Sequence, residues 1–272
     1  MSLPAQQQPL ISLHALTRAR TTVEDFSLSY LPLHGQEPHA GLLRYLDVLV
    51  FVSAALYELD EQNERLCASG PALGELAGCA VLKDALRERG LLNAPTEREL
   101  EDGASYWALE RRLCSALARC ESISETDVAR AHACKSFDYR VLHHVLLQLL
   151  RVEPDEPLLA FLRLDERLVD IGDDLTDYED DVCANSFNLL RGLVSLHGVA
   201  EAPLRLVAMV GELERQHAAA LQALPEAQRL HFWARHQEAS AQPRSERWVL
   251  PKPIAIEDEA EFRCRFAHDD GA

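Results

Sequence analysis

The chain has 272 residues, 47% of them hydrophobic and 26% charged, with a formal net charge of −17. It is long and apolar enough to bury the core of one large domain or two small ones. The charge argues against nucleic acid and against an anionic membrane surface, since no basic cluster is dense enough to displace counterions. An acidic protein still binds an anionic substrate when metal ions lie between the two.

Seven cysteines, odd in number and with no C-x-x-C pair, predict reduced thiols rather than a disulfide framework or a zinc site. The N-terminus lacks a charged start followed by an apolar core, so the expected location is cytoplasmic. The most apolar stretch, Leu42 to Leu59, carries Arg44, Asp47 and Glu58. A buried core helix is therefore expected there, without stable membrane insertion.

Apolar residues recur at three- and four-residue spacing almost throughout, and the prolines fall between periodic segments. The pattern predicts an all-α chain with helices near 12–30, 41–67, 73–90, 96–120, 123–152, 157–183, 185–197, 202–223 and 225–239. Thr96 with Glu99, and Ser122 with Glu125, have capping-box spacing at two of the starts. After Ser240 the composition turns to proline and charge, so a single domain over 1–240 and a tail or flap over 241–272 are expected.

Two acidic clusters stand out in this series. The first ends the most hydrophobic helix: Asp60, Glu61 and Glu64 follow FVSAALYEL, with Asp60 and Glu64 one turn apart. Carboxylates at the end of a buried helix belong at the rim of an apolar cavity. Between the clusters, the stretch Cys134-Lys135-Ser136-Phe137-Asp138-Tyr139-Arg140 mixes cations with aromatics.

The second cluster is DERLVDIGDDLTDYEDD, residues 165–181. At about 100° per residue, Glu166, Asp170, Asp173, Asp177 and Asp181 fall on one face, opposite Leu164, Leu168, Ile171 and Leu175. Like charges stacked at i, i+4 and i+8 repel one another, and a cation removes the repulsion. Oxygen-only ligands suit a hard divalent ion such as Mg²⁺, which shares its remaining sites with water and phosphate oxygens. A merely solvated acidic face is the competing explanation.

An apolar helix ending in Asp60-Glu61-x-x-Glu64, followed by a distal acidic motif, resembles the class I terpenoid synthases and the related trans-prenyltransferases over roughly residues 40–200. Asp173, Asp177 and Asp181 take the three ligand positions of the terpene-synthase distal motif, and Asp174 matches its second letter. Asn185 and Asn188 are similar to the asparagines that trail it. The resemblance implies a helical bundle around a central apolar cavity. It also implies Mg²⁺ (three ions, with Mn²⁺ as a substitute) held by Asp60, Glu61 and Glu64 on one side and Asp173, Asp174, Asp177 and Asp181 on the other. The substrate would be a prenyl diphosphate. Lys135 and Arg140 are the expected catalytic cations, and Arg247-Trp248 corresponds weakly to a terminal Arg-Tyr pair. Phe51, Tyr57, Phe137, Tyr139 and Phe161 are expected as the aromatic cavity wall, and a homodimer is compatible with the family.

The chain also departs from that pattern. Aspartates replace the usual asparagine, serine and glutamate of the distal motif, and Asp127 stands where the upstream sensor arginine belongs, with Arg130 nearby. Asp173-Asp174-Leu175-Thr176-Asp177 equally resembles the second motif of the prenyltransferases. The Gly-Lys-Arg-x-Arg-Pro stretch of elongating enzymes is missing; Arg18 and Arg20 form the nearest basic patch, and only Arg65 follows the first motif. A lyase is therefore expected ahead of a chain-elongating synthase. A hydrolase and a catalytically silent helical scaffold are the remaining alternatives.

Overall fold

Capping side chains fix the start of several helices. Ser12 opens α1 (Leu13–Tyr30) by accepting the Ala15 N–H at 3.1 Å. Asp155 opens α7 (Glu156–Thr176) through the Leu158 N–H at 3.3 Å. Asn188 opens α9 (Leu189–Ala223) through the N–H groups of Leu190 and Arg191. Each satisfies donors that a helix leaves orphaned in its first turn. The expected capping boxes are not what forms. Asn93 caps α4 (Ala94–Ala118) by accepting from Thr96, and Ser124 precedes α5 (Glu125–Cys134) without a side-chain bond.

A computed structural model describes residues 11–69, 77–240, 250–252 and 254–269, and among these every regular element is helical. Besides those named, the helices are α2 (Pro38–Ser69), α3 (Ala77–Glu88), α6 (Phe137–Leu150), α8 (Tyr178–Ala184), α10 (Glu226–Ser240) and α11 (Glu259–Asp269). A short 3₁₀ turn, Pro32–His34, links α1 to α2. The all-α expectation is met, while several boundaries move. The single helix expected over 123–152 is two, α5 and α6, separated by Lys135 and Ser136. That expected over 157–183 ends at Thr176 and resumes at Tyr178, with Asp177 as the joint. The pair expected over 185–197 and 202–223 is one long helix, broken at Gly198, whose φ of 80° lies in the left-handed region that a glycine tolerates. Residues 73–76 of the expected third helix lie outside those described.

The helices pack on one another: α1 against α2, α4 against α5 and α6, α2 against α4 and α6, and α7 against α9. Val23, Phe26, Leu49, Val52, Leu113, Val141, Val145, Phe161, Leu168 and Leu190 all belong to one buried core. At Gly103 a Cβ would fall 2.3 Å from the Phe137 ring, so glycine there lets α6 approach α4. Helices α2 and α9 are both long and apolar enough to cross a membrane, although α2 packs against α1, α4 and α6.

The C-terminal segment is a strap rather than a loose tail. Arg191, fully buried, is held by Glu259 at 2.8 Å, by the Ser186 carbonyl and by Asn185. Arg263 donates to the Val182 carbonyl, and the Ile256 N–H donates to the Tyr178 hydroxyl. These contacts bind α11 to α8 and to the residues directly after the distal acidic motif.

Candidate active site

A cavity of about 910 Å³ lies between α1, α2, α6, α7 and α10, and Leu250 and Pro251 of the strap complete its wall. Its direction follows from the order of residues along the lining helices. On α7 the lining runs from Phe161 to Thr176, about 22 Å at 1.5 Å per residue. Phe161 meets Phe232 of α10, edge to face, at 5.0 Å. At the other end Asp173 lies near the charge of Lys135. The cavity thus has an aromatic end, where Asp25 is paired with Arg235 and Asp165 with His217, and an acidic one.

The acidic end brings the two predicted clusters to one space. Asp60, from the last turns of α2, and Asp170 and Asp173, from α7, all line it, with Lys135, Ser136 and Asp138 between them. Asp60 accepts the Trp107 indole N–H at 3.0 Å. Burial lifts its carboxyl above the ordinary range, opposed by that bond and by the charges of Arg18 and Lys135. Asp173 is lifted by partial burial and by the charges of Asp177 and Asp174, with Lys135 opposing. Glu64 stands exposed at the rim and outside the lining. Desolvation raises it first, and the charges of Asp60, Glu61 and Asp181 add to that. The first and distal clusters therefore act on one another electrostatically.

The break between α5 and α6 explains how Lys135 and Ser136 reach α7. Lys135 closes α5 and Ser136 opens α6. From there the Lys135 ammonium pairs with Asp174, and the Ser136 hydroxyl donates to Asp170 at 2.6 Å. Carboxylate partners hold the Lys135 pKa above its usual value despite burial. Asp174, 2% exposed, also accepts the Leu189 N–H at 2.7 Å. Each of its oxygens thus already accepts a bond, and it anchors the site.

Other expected residues are placed differently. Glu61 turns to α1, accepting from His14 at 2.7 Å, and lies off the cavity. Asp177 is exposed at the α7–α8 joint and outside the lining, and Asp181 accepts from Asn188 at 2.8 Å. The expected single acidic face is split by burial: Glu166 and Asp170 are buried and Asp181 half-buried, while Asp173 and Asp177 are exposed. Arg140 is drawn into a buried network, donating to Glu99 at 2.7 Å and Glu166 at 3.2 Å, and is not part of the lining. It is a positioning group, not a free cation. Tyr57, Phe137, Tyr139 and Phe161 line the cavity as expected, whereas Phe51 packs against the core elsewhere. Arg247 lies outside the described residues.

Three lining residues carry chemistry for which the sequence suggested no role. Arg18 of α1 stacks over the Tyr57 ring, 4.1 Å from its centroid, and places a cation opposite Asp60. Asp138 has no cation in hydrogen-bond contact, and burial raises it to about 6. Glu166 faces the cavity and accepts from the Tyr30 hydroxyl at 3.2 Å. Only Arg18 had a signal, as the basic patch of an amphipathic first helix.

The donor set bears on the expected Mg²⁺. Among the described residues no three His, Cys, Asp or Glu side chains converge as a ready-made metal site. Mg²⁺ seldom uses such a cage; it takes one or two carboxylates and completes its shell with water and substrate phosphate. Asp60 and Asp173, aspartates on two walls of one cavity with lifted pKa values, fit that mode. Glu64 stands at its rim. Comparison with family models, with curated proteins and with solved structures returns no match.

Proposed function

We propose that the chain is a Mg²⁺-dependent lyase of the terpene-synthase kind, which ionises an allylic prenyl diphosphate and lets the carbocation rearrange in the cavity. One observation carries this reading: Asp60 of the first acidic cluster and Asp173 of the second line the same largely apolar cavity. A solvated acidic face would have no reason to share a cavity with a second cluster from a distant helix.

Asp60 and Asp173, with Glu64 at the rim, would hold the metal, which when bound supplies Lewis-acid stabilisation of the departing pyrophosphate. Arg18 offers the diphosphate a guanidinium that no carboxylate among the described residues engages directly. Lys135 keeps Asp174 and Asp170 in register and adds positive charge to the acidic end. Beyond the head group, Tyr57, Phe137, Tyr139, Phe161 and Phe232 present ring faces that stabilise a cation and exclude water.

The test is incubation of purified protein with Mg²⁺ and allylic diphosphates of several chain lengths, with and without isopentenyl diphosphate. Pyrophosphate and hydrocarbon released without isopentenyl diphosphate support the lyase. Longer diphosphates would mark an elongating synthase, and an alcohol as sole product a hydrolase. The silent scaffold is favoured by one observation, the commitment of Asp174 to Lys135, and predicts neither turnover nor Mg²⁺-dependent binding of diphosphate.

A further inference from the structure

We propose that Glu166 is the base that ends the reaction, taking a proton from a carbon of the prenyl chain about two helical turns from the diphosphate head. This inference rests on the lyase reading and adds to it where on the hydrocarbon the product double bond is set.

Glu166 lies seven residues before Asp173 on α7, about 10 Å along the helix. It is 8% exposed and lines the cavity where Tyr30, Tyr139 and Phe161 form the wall. A base at this depth is beyond a head group held at Asp173. Both carboxylate oxygens are oriented: Tyr30 donates to one and Arg140 to the other, each at 3.2 Å. The donors are themselves fixed. Tyr30 stacks on Phe26 with ring centroids 4.3 Å apart, and Arg140 is gripped by Glu99 at 2.7 Å.

Glu166 is the member of a buried ion-pair network that faces the cavity: Arg140 is shared between it and Glu99, which lies outside the lining and also pairs with Arg163. Of the other lining acids, Asp60, Asp138, Asp170 and Asp173 belong to the acidic end, while Asp165 is tied to His217 at 3.1 Å and Asp25 to Arg235 at 2.7 Å.

The step balances. Pyrophosphate leaves with the C–O electron pair, and the positive charge migrates along the chain as it rearranges. A C–H bond next to the cationic carbon breaks, its electron pair becomes the new C=C bond, and the proton passes to a Glu166 oxygen. A cation and a carboxylate become a neutral alkene and a carboxylic acid. The acid returns its proton to solvent when the product leaves.

Wild type, Glu166→Gln and Tyr30→Phe are incubated with Mg²⁺ and the allylic diphosphate that the wild type turns over best. Pyrophosphate release and product identity are read separately. In Glu166→Gln the main wild-type hydrocarbon should fall by about tenfold or more as a share of product, since a positioned base contributes 10²–10⁴-fold. Isomers deprotonated near the head, or the prenyl alcohol, should replace it. Tyr30→Phe should move the mixture the same way, less far. An unchanged product mixture in a folded Glu166→Gln protein overturns the inference while leaving the lyase standing. Should that variant not fold, an unchanged mixture in Tyr30→Phe overturns it equally. A wild type that releases no pyrophosphate sinks the lyase reading itself, and that outcome is seen before any variant is made.

Discussion

The ammonium of Lys135, at the joint between α5 and α6, is paired with the buried carboxylate of Asp174, immediately beside the cavity-lining Asp173. Two neighbouring aspartates therefore have opposite duties. Asp174 holds α5, α7 and the start of α9 together, and Asp173 faces the cavity with its oxygens available.

That division predicts a contrast between variants. Asp174→Ala leaves a largely buried ammonium unpaired and the Leu189 N–H unsatisfied, so it should destabilise the fold by about 3–5 kcal/mol. Asp173→Asn should change stability by no more than about 0.5 kcal/mol, yet abolish Mg²⁺-dependent turnover. Urea denaturation alongside a pyrophosphate-release assay separates the two; equal stability losses would show that Asp173 is also structural.

The acids lifted by burial predict how stability depends on pH. In the fold, burial raises Glu166 to about 8, Glu110 and Asp170 to about 7, and Asp138 and Asp181 to about 6. Their unfolded values are near 4. Between those limits the native state binds more protons than the unfolded state, so stability falls as pH rises from about 5 to 8. His132 works the other way: buried without a hydrogen-bond partner on either ring nitrogen, it is depressed to about 3, so stability is lost below its ordinary value of 6.5. His34, His143, His144 and His236 are likewise lowered by burial, so acids and histidines oppose one another below about 6.5, and above it the acids act alone. The urea midpoint should therefore be higher at pH 6.5 than at pH 8, and a rise over that interval would contradict the account.

Metal and diphosphate should stabilise jointly. Neither wall alone completes a shell for Mg²⁺, so Mg²⁺ by itself should raise the melting temperature little, and pyrophosphate by itself not at all. Together at about 100 times the dissociation constant they should add about 2.7 kcal/mol, and EDTA should remove the gain. A full shift with Mg²⁺ alone would mean that a complete metal site exists without phosphate.

The strap offers a fourth prediction. Glu259→Ala leaves Arg191, fully buried, without its carboxylate. A loss of about 3–5 kcal/mol is expected. Glu261→Ala, which removes only the exposed partner of Arg265, should cost less than about 1 kcal/mol. Similar effects from both would show that α11 does not dock as described.

Periodicity alone made the helical class legible, because apolar spacing and proline placement are local properties. The breaks at Lys135–Ser136 and at Asp177 carry no proline or glycine and were not legible. The first is set by side chains that reach across to α7. Repulsion arguments picked out the distal acidic cluster, while the expectation that Asp60 and Asp173 share one space came from the family resemblance; both line the cavity. Repulsion could not tell Asp173 from Asp174, since that depends on where Lys135 lies. Arg140 looked free for the same reason: its partners Glu99 and Glu166 are 41 and 26 residues away. Glu166 read as one more acid on a stripe until its tyrosine partner, 136 residues upstream, was in place.

The central claim is that Asp60 and Asp173 act on one bound diphosphate. Calorimetric titration of inorganic pyrophosphate in Mg²⁺ into wild type, Asp60→Asn, Asp173→Asn and the double variant tests it most directly. Each single change should weaken binding at least about tenfold, and the double variant should bind little worse than the weaker single, a coupling within the 0.5–3 kcal/mol of residues sharing one partner. Undiminished binding in either single variant, or losses that simply add, would mean that the two aspartates serve separate sites.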